Sequence, residues 1–336
     1  MIDWIIFCGA LTFIVLSATI RPTTIIGRLA SLVAVLLGAT LIVSGSMRLV
    51  PGDVVDHILG DQAQASSKEL LAKDLGLVND RGEPISFVEQ YSGFLISLTN
   101  NHTKSFISRR NALDMVKERL PYTLMLALSA MLIALIAGPI CGVVASLFHN
   151  RWPDQFLSIF ALIGISVPSF FLGPLLLLLF AIRLQILPVS GADDGILSLV
   201  LPASAMGLAL AAMLARMSRA SMLEVLSEDY IRSARAKGLS SSVVFFKHAL
   251  RNALIPVATL VGLQFGAVMA GAVVTEKVFN WPGIGLLLLE SIHRLDMPLV
   301  QVCVLVIAFM YAVINLLTDI MYTLIDPRIS LAGKEP

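Results

Sequence analysis

The chain has 336 residues, 57% of them hydrophobic and only 14% charged, with a formal net charge of +1. Soluble domains carry about 25% charged residues, so the composition excludes an ordinary soluble enzyme, and a near-neutral balance offers nothing for nucleic acid to recognise. The apolar residues fall in long runs broken by polar segments, which predicts an all-α, polytopic bundle of transmembrane helices in a lipid bilayer.

The first apolar run, Ile2 to Ile20, has Asp3 at its start, and Arg21 and Arg28 follow it. That order argues against a cleaved signal peptide and for an extra span with its N-terminus outside. Residues 1–27 therefore hold this run and its linker; the chain has seven spans if it crosses and six if it does not. Residues 28–50 contain the first core span, near 29–49. Five more follow near 121–147, 156–182, 198–216, 253–275 and 299–324. Pro168 and Pro202 lie in two of these runs, where neighbouring helices can satisfy the freed backbone groups. Cys8, Cys141 and Cys303 each sit in an apolar run without metal-type spacing and read as packing residues.

Residues 51–119 form a small polar insertion. Ser66-Ser67-Lys68-Glu69 ahead of Leu70–Leu75 reads as a capped short helix stopped by Gly76, and Asn79–Gly82 as a turn. A helical period resumes over 86–98, with Phe87, Tyr91, Phe94, Leu95 and Leu98 on one side. Asn101-His102-Thr103 has the spacing of a glycosylation sequon, which matters only on a eukaryotic secretory route.

Residues 120–325 make up the transmembrane core, and 326–336 a tail. Segment 217–252 carries Arg219, Arg232, Arg235, Lys237, Lys247 and Arg251, and its short, basic character places it in the cytoplasm. Alternation then puts 51–119, 183–197 and 276–298 outside the membrane, and 148–155 and the C-terminus in the cytoplasm. Within 217–252, Ser227 reads as an N-cap, with Glu228 and Asp229 in the first turn where the helix dipole favours anions. Glu228 and Arg232 stand at i,i+4 and can pair; Arg235 and Lys237 fall in the last turn, and Gly238 stops the helix. A second short helix starting after Ser240–Ser242 and running towards Pro256 completes a helix–turn–helix suited to docking on a cytoplasmic partner.

The run Asp229-Tyr230-Ile231-Arg232-Ser233-Ala234-Arg235-Ala236-Lys237-Gly238-Leu239, followed by His248-Ala249-Leu250-Arg251-Asn252, resembles the coupling loop of ABC-importer permeases, specifically the B-type subunits of the dipeptide, oligopeptide and nickel uptake family. Other pieces agree in order: Arg48–Asp53, Glu118–Leu124, Glu276-Lys277-Val278-Phe279 with Pro282-Gly283-Ile284-Gly285 and Asp296-Met297-Pro298, and Asp319 with Tyr322 and Asp326-Pro327-Arg328. The general importer pattern begins Glu-Ala-Ala; anchored on Gly238 this chain has Arg232-Ser233-Ala234, and Arg251 stands where proline is expected. Residues 100–106 also depart from the pattern usual in the outer segment.

The resemblance implies a permease subunit of the cytoplasmic (inner) membrane that forms the path for di- or oligopeptides. Nickel chelates and other peptide-like solutes are carried by the same family. The implied partners are a C-type permease subunit, two ATPase subunits that hold ATP and magnesium, and an extracytoplasmic peptide-binding protein. Glu228, Asp229, Tyr230, Arg232, Ala234, Arg235, Ala236, Lys237, Gly238, His248 and Arg251 would couple to the ATPases. Glu276, Phe279, Pro282, Gly283, Gly285 and Asp296 would shape the outer gate. Gln264, Asn315 and Asp319 are candidates for the path, with interhelical hydrogen bonding as the plainer alternative, since polar groups in spans rarely face lipid.

No P-loop, H-E-x-x-H or G-x-S-x-G motif occurs, so ATP hydrolysis belongs to other chains and neither catalytic residues nor a metal site is expected. A secondary transporter is the rival of another class; it would show an internal repeat or ionisable residues at mid-bilayer, and the acidic residues here gather near span ends.

Overall fold

A computed structural model describes residues 22–60, 62–79 and 82–325. The apolar run Ile2–Ile20 and the tail from Asp326 lie outside these residues. Among them the chain is helical, and five helices are long and apolar enough to cross a membrane, six when one bent pair counts as a single span. Backbone contacts divide the chain into two units, 1–121 with 284–313 and 330–336, and 122–283 with 314–329.

The first unit contains α1 (Pro22–Met47), the insertion helices α2 (Val54–Leu59), α3 (Ala65–Asp74) and α4 (Phe87–Thr99), the start of α5 (Ala112–Leu147), α12 (Ile284–His293) and most of α13 (Met297–Ile325). Phe94, Leu113, Val116, Ile284, Leu287, Leu299 and Val302 form its core. Helix α4 begins in a complete capping box, Ser86 accepting from Glu89 N–H while the Glu89 carboxylate accepts from Ser86 N–H. The predicted apolar side of α4 is the packed one, with Tyr91, Leu95 and Leu98 around Phe94. Tyr91 donates to Leu37 O at 3.0 Å, and Arg48 reaches Gln90 Oε1 and Ile85 O while lying over the Phe87 ring. Inside the spans, Gln301 Nε2 donates to Ser44 Oγ at 2.6 Å and Ser44 Oγ to Thr40 O, so polar side chains in apolar helices are consumed by their neighbours.

Two expectations change here. Helix α3 starts at Ala65 with Gln64 at its cap and no side-chain cap bond, because Ser66 and Ser67 already lie in its first turn. The stretch 276–298 is not a loop throughout: Glu276–Phe279 end one helix and Ile284–His293 form α12, with Ile284, Leu286 and Leu287 buried. Ten residues are too few to register as a span.

The second unit contains the rest of α5, then α6 (Trp152–Ser166), α7 (Ser169–Leu176) running into a π-helical turn (Leu177–Arg183), α8 (Ile196–Ser227), α9 (Asp229–Ala236), α10 (Ser241–Val243) with a second π-helical stretch (Val244–Leu250), and α11 (Arg251–Phe279). Helix α8 packs against α6, α7 and α11 and carries the most buried hydrophobic stretch. The predicted span 156–182 is broken at Val167–Pro168, where α6 and the next helical segment meet at 111°. Pro168 has no N–H to give and its ring forces Val167 out of the helical region, to φ −83° and ψ 117°. Pro202 and Pro256, by contrast, sit within unbroken helices.

Candidate functional site

The predicted coupling segment begins differently from its sequence reading. Helix α8 continues through Ser227, whose hydroxyl donates back to Glu224 O at 2.7 Å, so Ser227 is a helix end and not an N-cap. Glu228 is the extended hinge residue between α8 and α9, with φ −66° and ψ 147°. From that position it does not pair with Arg232; Arg232 reaches Asp229 instead, at 3.3 Å. The helix after Ser240–Ser242 is not short either: it runs as one path through the π-helical stretch and Pro256 to Phe279. The segment is thus one short helix held beside the root of a span.

Helix α9 is docked by its apolar side. Ile231 is fully buried and Ala234 nearly so, both packed with Met222 of α8 and Val244, Phe245, Ala249 and Ala253. The i,i+3 spacing of Ile231 and Ala234 turns Tyr230, Arg232, Ser233, Arg235 and Ala236 outward, and all five are exposed. Lys237 is the C-cap, and Gly238 follows at φ +80°, its N–H bonded to Arg235 O at 3.0 Å. Beyond the turn, Leu239, Val243 and Phe246 expose apolar surface beside Lys247 and Arg251, and His248 is half-buried. The Tyr230 hydroxyl accepts from Asn252 Nδ2 at 2.8 Å, tying the outer face of α9 to the start of α11. The result is a cationic face with apolar points on a buried anchor.

The predicted outer-gate residues divide between the units. In the second, Glu276 is fully buried and its carboxyl accepts from Thr123 Oγ1 at 2.6 Å. Helix α11 ends at Phe279, Asn280 turns with φ +49°, and Trp281 N–H returns to Glu276 O at 2.8 Å. Gly283 lies directly over the Glu276 carboxyl, where a Cβ would occupy the space of its oxygens. Trp281, which the sequence reading passed over, is fully buried; its indole N–H donates to Tyr122 O at 3.0 Å and its ring packs edge-on to Tyr122. Pro282 is half-buried in the same turn. In the first unit, Gly285 is buried in α12, and buried Asp296 accepts from Ser105 Oγ at 2.5 Å and Phe106 N–H at 3.0 Å.

Of the path candidates, two have described side chains. Gln264 Nε2 donates to Met213 Sδ of α8, Asn315 is exposed on α13, and the side chain of Asp319 lies outside the described residues. A cavity of about 590 Å³ in the first unit is bordered by Asp74, Glu89, Gln90, His102, Lys104 and Arg109. Much of its polar wall is already engaged: Arg109 pairs with Asp74 at 2.6 Å, Glu89 serves the capping box, and Gln90 accepts from Arg48. Among the described residues no group of three His, Cys, Asp or Glu could hold a metal.

Sequence reasoning also missed a partly buried ion pair. Arg219, counted only as a topology charge, meets Asp154 through Nε at 2.5 Å and Nη2 at 2.8 Å. The two lie 65 residues apart, and no local pattern links them.

Residues 130–331 match the family model described as "Binding-protein-dependent transport system inner membrane component". The chain is 40% identical over 309 residues to the glutathione transport system permease protein GsiC of Escherichia coli strain K12, a match covering 91% of this chain and 98% of that one. GsiC of Shigella flexneri serotype 5b matches with the same identity and coverage. Among solved structures, the inward-facing MetNI methionine ABC transporter aligns with a TM-score of 0.52 at 15% identity, over 63% of this chain and 96% of that one, a likeness of fold. The chain belongs to the binding-protein-dependent transport system inner membrane components, as a multi-pass ABC-importer permease subunit of the B type of the dipeptide, oligopeptide and nickel uptake family.

Proposed function

We propose that this chain lines, together with a C-type permease subunit, the path by which short peptides and peptide-like solutes of the glutathione class cross the inner membrane. An extracytoplasmic binding protein delivers the solute to the outer side, where 51–119 and the Glu276–Pro282 turn lie. Two ATPase subunits, holding ATP and magnesium, dock on 217–252 at the cytoplasmic side, where the C-terminus also lies. The observation that carries this reading is helix α9: its apolar residues are spent on α8 and the root of α11, and its remaining face is presented outward beside exposed Leu239, Val243 and Phe246. A helix anchored on one side and bare on the other, at the junction of two spans, is suited to receive force from a partner. The peptide-like cargo is supported by the 40% identity to a protein named for glutathione transport.

The Gly238 turn supplies the test. Nothing lies within 4 Å of a Cβ built there, so bulk is tolerated and only the left-handed backbone is demanding. Gly238→Val forces a β-branched residue into that region, at a cost of about 1–2 kcal/mol; Gly238→Asn, whose side chain tolerates it, should not. With both variants inserted normally, Gly238→Val should lose co-purification of the ATPases and uptake of labelled glutathione or a labelled dipeptide, while Gly238→Asn keeps both. Normal ATPase binding by Gly238→Val overturns the docking role, and failure of the parent to take up either solute overturns the cargo.

A further inference from the structure

Arg219 falls at the start of the 217–252 segment, but its pairing with Asp154 serves none of the roles assigned above. Its geometry is a side-on fork, Nε to Oδ1 and Nη2 to Oδ2, the arrangement that fixes direction as well as distance. The Asp154 side chain is 3% exposed and that of Arg219 29%. The same carboxylate, in the first turn of α6, accepts from the N–H of Asn150 just ahead of that helix at 2.9 Å, with Ser158 Oγ at 3.4 Å and His149 Nδ1 at 3.5 Å. Asp154 thus holds the start of α6 and receives α8 at once.

Three helices meet at this level. Gly142 of α5 faces Ala215 O, Ser218 Cβ and Arg219 N so closely that a side chain there would displace α8. Helix α8 then runs unbroken from Arg219 to Ser227, and only Glu228 separates it from α9. On the other side, α6 leads directly to the break at Val167–Pro168 and to α7. A displacement of α9 therefore reaches α8 across the single residue Glu228, and α8 meets the broken span by side-chain packing and by one directional charged link.

We propose that the Arg219–Asp154 pair is a clasp that carries displacement of α9 into the broken span α6–α7, which makes Arg219 and Asp154 positioning residues of the transport cycle. This rests on the docking of ATPase subunits at 217–252. Removing the fork leaves docking intact and weakens the coupling of α6–α7 to the motion of α8, leaving only their packing to carry it.

The test uses the assembled transporter in proteoliposomes, with the native cysteines replaced by alanine and a single reporter cysteine at Ser233→Cys on α9 or Phe171→Cys on α7. Thiol modification rates are compared without nucleotide and with magnesium-ATP and vanadate. In the parent, nucleotide should change the rate at both positions. In Arg219→Gln it should still change the rate at Ser233→Cys and change it severalfold less at Phe171→Cys, with Arg219→Lys, which keeps charge but not the fork, in between. Should Arg219→Gln fail to assemble because Asp154 is left unpaired, the neutral pair Asp154→Asn with Arg219→Gln gives the same readout. A merely structural pair would lower yield without separating the two reporters. A nucleotide response at Phe171→Cys that persists undiminished in the variants overturns the clasp, as does a parent in which only Ser233→Cys responds. A parent in which neither responds overturns the docking itself.

Discussion

Glu276 shows how much depends on single atoms in this chain. Its carboxyl is fully enclosed, bonded to Thr123, and roofed by the one residue without a side chain, Gly283. Gly283→Ala must displace the carboxyl or the turn, an overpacking cost of about 1–3 kcal/mol. Thr123→Val keeps the shape and deletes one donor to a buried acceptor, a loss of about 1–3 kcal/mol. Both variants should lower the thermal unfolding midpoint in detergent, and because both act on one carboxyl the double variant should lose less than the sum. Additive losses would show that Gly283 and Thr123 act independently. Sequence alone offered Glu276 and Gly283 as neighbours in a motif; that one roofs the other follows only from the turn at Asn280.

At the scale of elements, α9 has eight residues, too few to hold a helix in water unaided. Its order is borrowed from Ile231 and Ala234. Ile231→Ala removes the fully buried anchor, a core truncation worth about 2–5 kcal/mol. Trypsin cleavage at Arg232 and Arg235 in inside-out vesicles should accelerate markedly, while Ser233→Ala on the exposed face leaves it unchanged; equal rates would mean that α9 is held by something other than its apolar side. Such elements were only partly legible beforehand. Apolar runs marked each core span because burial in lipid demands them, but they mark the hydrocarbon and not the helix: 198–216 became Ile196–Ser227, and 253–275 became the end of a path that starts at Ser241. Backbone hydrogen bonding continues past the point where apolar residues stop. Ser227 read as a cap because serine suits one, yet the helix before it had not ended. The break at Val167 follows from Pro168, but Pro202 and Pro256 carry the same local signal without a break, so neighbours decide. The Arg219–Asp154 pair joins residues that no periodicity relates.

For the molecule as a whole, the basic character of 217–252 predicts a cytoplasmic side for that segment, and alternation of the spans predicts the side of the rest. A cysteine at Ser67 in the insertion should react with a membrane-impermeant thiol reagent in spheroplasts. A cysteine at Ser241 should react only after permeabilisation. The reverse pattern would invert the assignment and place α9 out of reach of any ATPase. With the sides assigned this way, the length of α8 acquires a meaning beyond spanning. Its 32 residues extend about 48 Å at 1.5 Å each, against a hydrocarbon core of about 30 Å. With the apolar run 198–216 set in the hydrocarbon, roughly a third of the helix, from 217 to Ser227, would stand clear of the lipid tails on the side that bears α9. Pivoted at its far end, a helix of that length swings its tip by about 4 Å for a tilt of only about 5°. A modest rotation within the bilayer and a several-ångström stroke at the cytoplasmic end are, for this helix, the same movement.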